Sequence, residues 1–364
     1  MHTKIPDNFK MVNETSVNAS GDGHGFTKIA YFDEPYYLLV IYCVALFLIF
    51  IASLVGNILT CIVIYSDRSM HTATNYYLFN LAVSDLLVTF PILIFIYQIL
   101  SQGAGLLEFE YGKMTCKFII CIHFMVVTVL WNNGILVMTA LSIERYIAIC
   151  YPMMLQGTPV WRRVMKIIGI IWVVALLEAT PSFYTIDVFD TGTNLICFFN
   201  PTALAKLLTA IMAVVTFIVP LAVMMFVYTM IAFKVNDNNP KYNFKDTVLN
   251  NGSNRNKVNK LIIALTVSFV ICWLPYFLLR ILTVTFDAEE FARTQKLWGP
   301  AHKVAMFNCW FTAALNPLLF SVMSTKFRNA LKKLWNKKIK KNNVLTDKSF
   351  SNTLQTSRIT KMDI

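Results

Sequence analysis

The chain has 364 residues, 56% of them hydrophobic and only 14% charged, with a formal net charge of +12 and a mean hydropathy of +0.56. A soluble domain carries about a quarter charged residues, so this balance excludes an ordinary soluble enzyme or binding module. The apolar residues come in blocks of about 20 or more, the length that crosses a hydrocarbon core. They predict an integral membrane protein whose basic charge faces anionic lipid or an acidic partner, and no nucleic acid.

Seven such blocks fall at 37–65, 73–100, 114–141, 164–186, 204–233, 261–286 and 297–323. The predicted fold is all-α, a seven-transmembrane helix bundle with a short amphipathic cytoplasmic helix. Its expected divisions are an outer tail (1–36), the spanning domain (37–323), the amphipathic helix (324–341) and a disordered inner tail (342–364). The first 36 residues show no basic start, apolar run or small-residue cleavage site, so the first span is expected to act as the insertion signal. Segments 66–71, 149–163, 235–257 and 323–364 hold 18 Lys and Arg, against 6 in segments 1–36, 101–113, 184–203 and 286–297. The basic side lies in the cytoplasm, giving an outer N-terminus, an inner C-terminus and a plasma-membrane location. The second set of segments also holds 12 Asp and Glu against 5, an acidic mouth that attracts cationic ligands.

In chain order, Asn13-Glu14-Thr15 and Asn18-Ala19-Ser20 are glycosylation acceptors on the expected outer side. Asn57 in span one is a candidate partner for Asp85 of span two, since a mid-membrane carboxylate needs one. Pro91 removes a backbone donor from span two. Of eight Cys, only Cys116, Cys121 and Cys197 lie near the oxidising face; Cys116–Cys197 is the preferred disulfide, with Cys121 the alternative. His123 to Leu141 carries no ionisable side chain after its first residue and ends in Ser142-Ile143-Glu144-Arg145-Tyr146. Glu144 and Arg145 either mark the interface by snorkelling or perform a function there. Glu178, near the end of span four, either pairs with His123 or Arg280 or lies at the outer interface.

Span five carries Pro220 and Tyr228. The segment 235–257, with Pro240 and Gly252, reads as a flexible connector. Span six holds Phe269, then Cys272-Trp273-Leu274-Pro275-Tyr276 and Arg280, with a kink expected at Pro275. Span seven holds Lys303 and ends Asn316-Pro317-Leu318-Leu319-Phe320. Beyond it Phe327, Leu331, Leu334 and Trp335 recur at helical spacing among basic residues, the pattern of a helix lying on the inner leaflet. The tail offers Thr346, Ser349, Ser351, Thr353, Thr356 and Ser357 as phosphate acceptors.

Over roughly residues 37–335 the chain resembles the rhodopsin-like G-protein-coupled receptors. The matching landmarks are Asn57, Leu81-Ala82 with Asp85, Glu144-Arg145-Tyr146, Trp172, Pro220 with Tyr228, Cys272-Trp273 with Pro275, and Asn316-Pro317. The resemblance implies a resting ion pair between Glu144 and Arg145. Activation would swing span six outward below Pro275 and release Arg145 towards Tyr228 and a G-protein α subunit. It implies docking of that G protein on Pro152 and Met153, and arrestin and receptor kinases at the C-terminal tail. It also implies a candidate sodium pocket at Asn57, Asp85 and Asn316. Gly134 stands where a serine commonly completes that pocket, with Asn133 beside it as a substitute. Phe320 replaces the tyrosine that usually closes the Asn-Pro motif, so low ligand-independent signalling is expected.

Ligand classes are narrowed by the same resemblance. Amine receptors have a span-three aspartate, and no acid lies between Glu110 and Glu144. Visual pigments need a span-seven lysine six residues before Asn316, where this chain has Trp310. Glu-Arg-Tyr, the Pro275-to-Arg280 spacing and the Ser321-to-Arg328 segment look like the neuromedin U, pyrokinin and ghrelin receptor group. That likeness implies an extracellular peptide ligand meeting Arg280, with His123, Glu178, Tyr276 and Lys303 as further candidates and no cofactor beyond sodium. The alternatives are a receptor for a lipid or small molecule and, in another class, a seven-span transporter or channel.

Overall fold

The computed structural model describes residues 35–103, 113–155, 159–181, 184, 186–190, 195–199, 202–236, 249–285 and 288–336. Asn13, Asn18 and the inner tail lie outside the described residues, as do the side chains of His123, Cys116, Cys121, Cys197 and Pro152. The main helices are α1 (Tyr36–Ser66), α2 (Ala73–Gly103), α3 (Lys113–Cys150) and α4 (Val160–Ala179). They continue with α5 (Ala203–Ala213, Val214–Ile218 and Val219–Asn236), α6 (Leu249–Thr285), α7 (Ala288–Met323) and a short α8 over 325–336. Among the described residues, five stretches are long and apolar enough to cross a membrane unaided: Tyr36–Ser66, Ala73–Tyr97, Met125–Cys150, Ala203–Lys234 and Gly299–Val322. The apolar part of α6 is Thr266–Leu282, and α4 opens on Arg162, Arg163 and Lys166.

α3 packs against α2, α4, α5 and α6, while α1 closes the bundle against α2 and α7. Among the five spans its window is the most buried, at 67%, so the residues of α3 reach every moving part. α1 comes closest to α7 at Gly56, where an added Cβ would stand 2.7 Å from Pro317 Cγ. Glycine is required there by contact, not by backbone conformation.

Three features differ from the sequence expectation. The all-α bundle stands, with one addition in the connection after α4: an antiparallel hairpin, β1 (Ile186–Asp190) with β2 (Leu195–Phe199), in which Val188 faces Cys197. The hairpin contacts α3. The expected connector 235–257 instead turns helical at Leu249 and carries Gly252 inside α6; one glycine costs about 1 kcal/mol, which a 37-residue helix absorbs. Within α5, Val214–Ile218 is π-helical. Pro220 has no N–H for the Thr216 carbonyl, and widening the turn just before it relieves the mismatch.

Candidate functional site

Residues at the inner end of α3 divide between two faces. Neighbouring residues on a helix point about 100° apart, so Glu144 and Arg145 face different partners. Glu144 is buried, and its Oε1 accepts from Arg163 Nη2 of α4 at 2.5 Å. This corrects the expected Glu144–Arg145 pair: the acid is turned to α4, whose Arg163 precedes the inward-facing Val164 and Ile168. Tyr77 of α2, fully buried, lies close enough to feel both charges. Removing one partner of such a buried pair costs about 3–5 kcal/mol.

Arg145 lies close enough to Tyr228 of α5 for its charge to be felt there. The Tyr228 hydroxyl also lies 2.9 Å from Ser142 Oγ and 3.0 Å from Thr266 Oγ1. One phenol thus ties α3, α5 and α6 together at their inner ends. Tyr146 stacks edge-on with Tyr151 at 5.7 Å. Pro152–Leu155 forms a single 3-10 turn that leaves Met153 and Met154 each 73% exposed.

Higher in the bundle, Asp85 Oδ2 accepts from Asn316 Nδ2 at 2.8 Å. Asn57 does not complete this pair. Its Nδ2 donates to the Ser53 carbonyl, Ser53 Oγ and the Ala313 carbonyl at 2.9, 3.2 and 2.9 Å, binding α1 to the α7 backbone one turn before Asn316. Asn133 is likewise turned elsewhere: its Oδ1 accepts from Asn80 Nδ2 and Ser84 Oγ, while Trp172 Nε1 donates to Asn80 Oδ1. Asp85 and Asn316 line a cavity of about 30 Å³ with Gly134, Thr312, Trp131 and Trp273, room for one or two waters. Hard cations are held by several oxygens. Gly134 supplies no side-chain oxygen to this lining, whereas the Asp85 carboxylate and the Thr312 hydroxyl, which donates to the Asn308 carbonyl, keep oxygen lone pairs.

Above the cavity, Trp131 of α3 meets Trp273, Trp310 and Tyr276 with ring centres 5.1, 5.2 and 5.7 Å away. Phe217 of α5 stacks on Phe277 at 4.4 Å and meets Phe269 at 5.7 Å. Arg280 lies within hydrogen-bonding reach of Tyr276, one turn below. Of the other expected ligand contacts, the side chain of His123 lies outside the described residues. Glu178 sits in the last turn of α4 with Oε2 buried and no described partner. Lys303 is buried in α7, its backbone carbonyl accepting from Tyr42 of α1. Phe320, 1% exposed, is core. Sequence reasoning missed Arg163, Ser142, Thr266 and Trp131; the first lies beside the buried stripe of α4 (Val164, Ile168, Ile171), not on it.

The family profile described as 7 transmembrane receptor (rhodopsin family) matches residues 56–320. The chain belongs to that family. It is a signalling receptor of that class and not an enzyme. Among curated relatives, the Neuromedin-U receptor 2 of Homo sapiens is 26% identical over 292 residues, covering 78% of this chain and 68% of the relative. The Pyrokinin-1 receptor of Drosophila melanogaster is 27% identical over 368 residues, 85% and 83% of the two chains. The Growth hormone secretagogue receptor type 1 of Sus scrofa is 29% identical over 300 residues, 80% and 79%. The peptide-receptor resemblance read from the motifs is matched by these relatives.

Proposed function

We propose that this receptor binds an extracellular peptide at the end of the bundle bearing Arg280 and signals through heterotrimeric G proteins at the end bearing Arg145. The observation that carries the inner half of the reading is the Tyr228 hydroxyl bridging Ser142 and Thr266 beside Arg145. These bonds hold α6 against α3; outward movement of α6 must break at least the one to Thr266, and it opens a cleft next to Arg145 and the exposed Met153. A ligand moves this equilibrium only by its difference in affinity between closed and open packings. The aromatic group around Trp131 and Trp273 lies between the two ends and supplies a packed element with which a ligand can bias that choice.

The peptide class is supported by the similarity to neuromedin-U and pyrokinin receptors and by the acidic outer segments of this chain. Arg280, held over Tyr276, is the proposed contact for a peptide carboxyl or carbonyl group. The orientation, N-terminus outside, rests on the distribution of Lys and Arg. The basic face of α8 is proposed to meet anionic lipid, Trp335 being 66% exposed, and the tail hydroxyls are proposed sites for receptor kinases and arrestin.

A panel of amidated neuropeptides read by calcium and cyclic AMP together tests this reading. Arg145→Ala is expected to abolish the response with surface expression retained. Arg280→Glu is expected to raise the required peptide concentration at least tenfold. Labelled-solute uptake into vesicles lacking any G protein, with no response to any peptide, would contradict it.

A further inference from the structure

The pairing of Glu144 with Arg163 has a consequence for what restrains Arg145. Two arginines, one on each side, can compete for a single buried carboxylate. Arg163 holds it at 2.5 Å, Glu144 being 6% exposed, and a second face of the pair is closed by buried Tyr77. Arg163 Nε and Nη1 are buried with no described partner, while the side chain as a whole keeps 20% of its exposure. A cation that reaches in to a buried carboxylate is more than a topological charge at the membrane edge.

We infer that Arg163 is a positioning residue that withholds Glu144 from Arg145, leaving closure of the inner mouth to the Tyr228 hydroxyl bonds. The inference rests on the proposed G-protein coupling. Arg163 and Glu144 join α4 to α3, which form one static unit; Arg145, Tyr228 and Thr266 join that unit to α5 and α6. With Arg163 in place the carboxylate stays with the static unit whichever way α6 moves, so opening need not break a buried ion pair. Without Arg163 the same carboxylate is released to turn to Arg145, and opening becomes harder.

The test is ligand-independent nucleotide exchange on a panel of purified G-protein heterotrimers, per surface receptor, using the full chain in nanodiscs. Ser142→Ala/Thr266→Ala serves as the background, because releasing Tyr228 raises the baseline enough to show a fall. In it Arg163→Gln is expected to reduce exchange at least threefold, Arg163→Lys to reduce it less, and addition of Glu144→Gln to Arg163→Gln to restore it. Glu144→Gln should therefore act several-fold more strongly when Arg163 is absent than when it is present. A pair with a purely structural role would change expression and give additive effects on exchange per receptor, which would overturn the inference. Should Arg163→Gln fail to fold, the Glu144→Gln and Glu144→Gln/Arg163→Gln receptors decide alone, since removing both buried charges is tolerated better than removing one. Equal exchange from these two supports the inference, and a difference beyond twofold overturns it. No exchange from any of the receptors, the background included, overturns the G-protein reading and this inference with it.

Discussion

Along α1–α4 the bundle is tied by amides, a close backbone approach and an ion pair, whereas α5 and α6 are tied to α3 by hydroxyls and rings. On the first side Asn57 donates to the α7 backbone, Asn80 links Asn133 with Trp172, and Glu144 holds Arg163. On the second, Tyr228 meets Ser142 and Thr266, and Phe217 lies against Phe269 and Phe277. A neutral hydrogen bond contributes about 0.5–1.5 kcal/mol net, while a buried ion pair losing one partner costs about 3–5 kcal/mol. The weaker ties lie where a receptor must open. Both sides meet on α3, which turns Glu144 one way and Ser142 the other.

Breaking the static side should damage the fold before it alters signalling. Gly56→Val sets a branched side chain against Pro317, already 2.7 Å from an added Cβ; overpacking of this kind costs about 1–3 kcal/mol or more. A clear fall in melting temperature is expected, read on detergent-purified receptor, and an unchanged melt would show that α1 can back away from α7. Asn80→Ala leaves Trp172 Nε1 without its described partner and Asn133 Oδ1 with Ser84 alone. The expected loss is about 1–3 kcal/mol, with nucleotide exchange per folded receptor little altered.

The smallest expected effect lies at the tether between the first inner turn and α8. Asp67 Oδ1 accepts from the Ser69 N–H at 3.0 Å and its Oδ2 lies 3.5 Å from Lys333 Nζ. The Ser69 bonds, then Lys333, hold the Asp67 carboxyl below its ordinary value. A depressed carboxyl stabilises the folded form above its unfolded pKa and loses that effect as pH falls through the folded one. Lys333 is 76% exposed, so the gain is slight and screened by salt. Asp67→Asn should modestly speed amide exchange in α8 at neutral pH, and the difference from wild type should vanish below the carboxylate range. A difference that persists there would assign the effect to something other than charge.

Much of the bundle was legible because its constraints are local. Spans show as apolar runs, α8 as Phe327 and Leu331 at helical spacing, and Asp85 as a carboxylate that hydrocarbon cannot satisfy. The errors concern partners. The family resemblance implied that Glu144 would hold Arg145, yet consecutive residues diverge around a helix, and Arg163 was counted only as a topology signal. Asn57 was expected to partner Asp85, which pairs with Asn316 instead, because which helix a buried amide meets depends on rotation that sequence leaves open. The turn before Pro220 had a local signal, a proline facing the Thr216 carbonyl, whereas the β1–β2 hairpin was hidden by short strands between two spans.

Release of the Tyr228 bonds tests the division most directly. Ser142→Ala/Thr266→Ala removes two neutral hydrogen bonds of the closed packing, about 1–3 kcal/mol together, or roughly a 5- to 150-fold shift in the closed-to-open equilibrium. The expected result is a several-fold rise in ligand-independent nucleotide exchange per receptor over wild type, with the melting temperature lowered only slightly. Exchange that stays at the wild-type level in a folded receptor, on every G protein tried, would contradict the assignment of Tyr228 as the bond that keeps α6 closed.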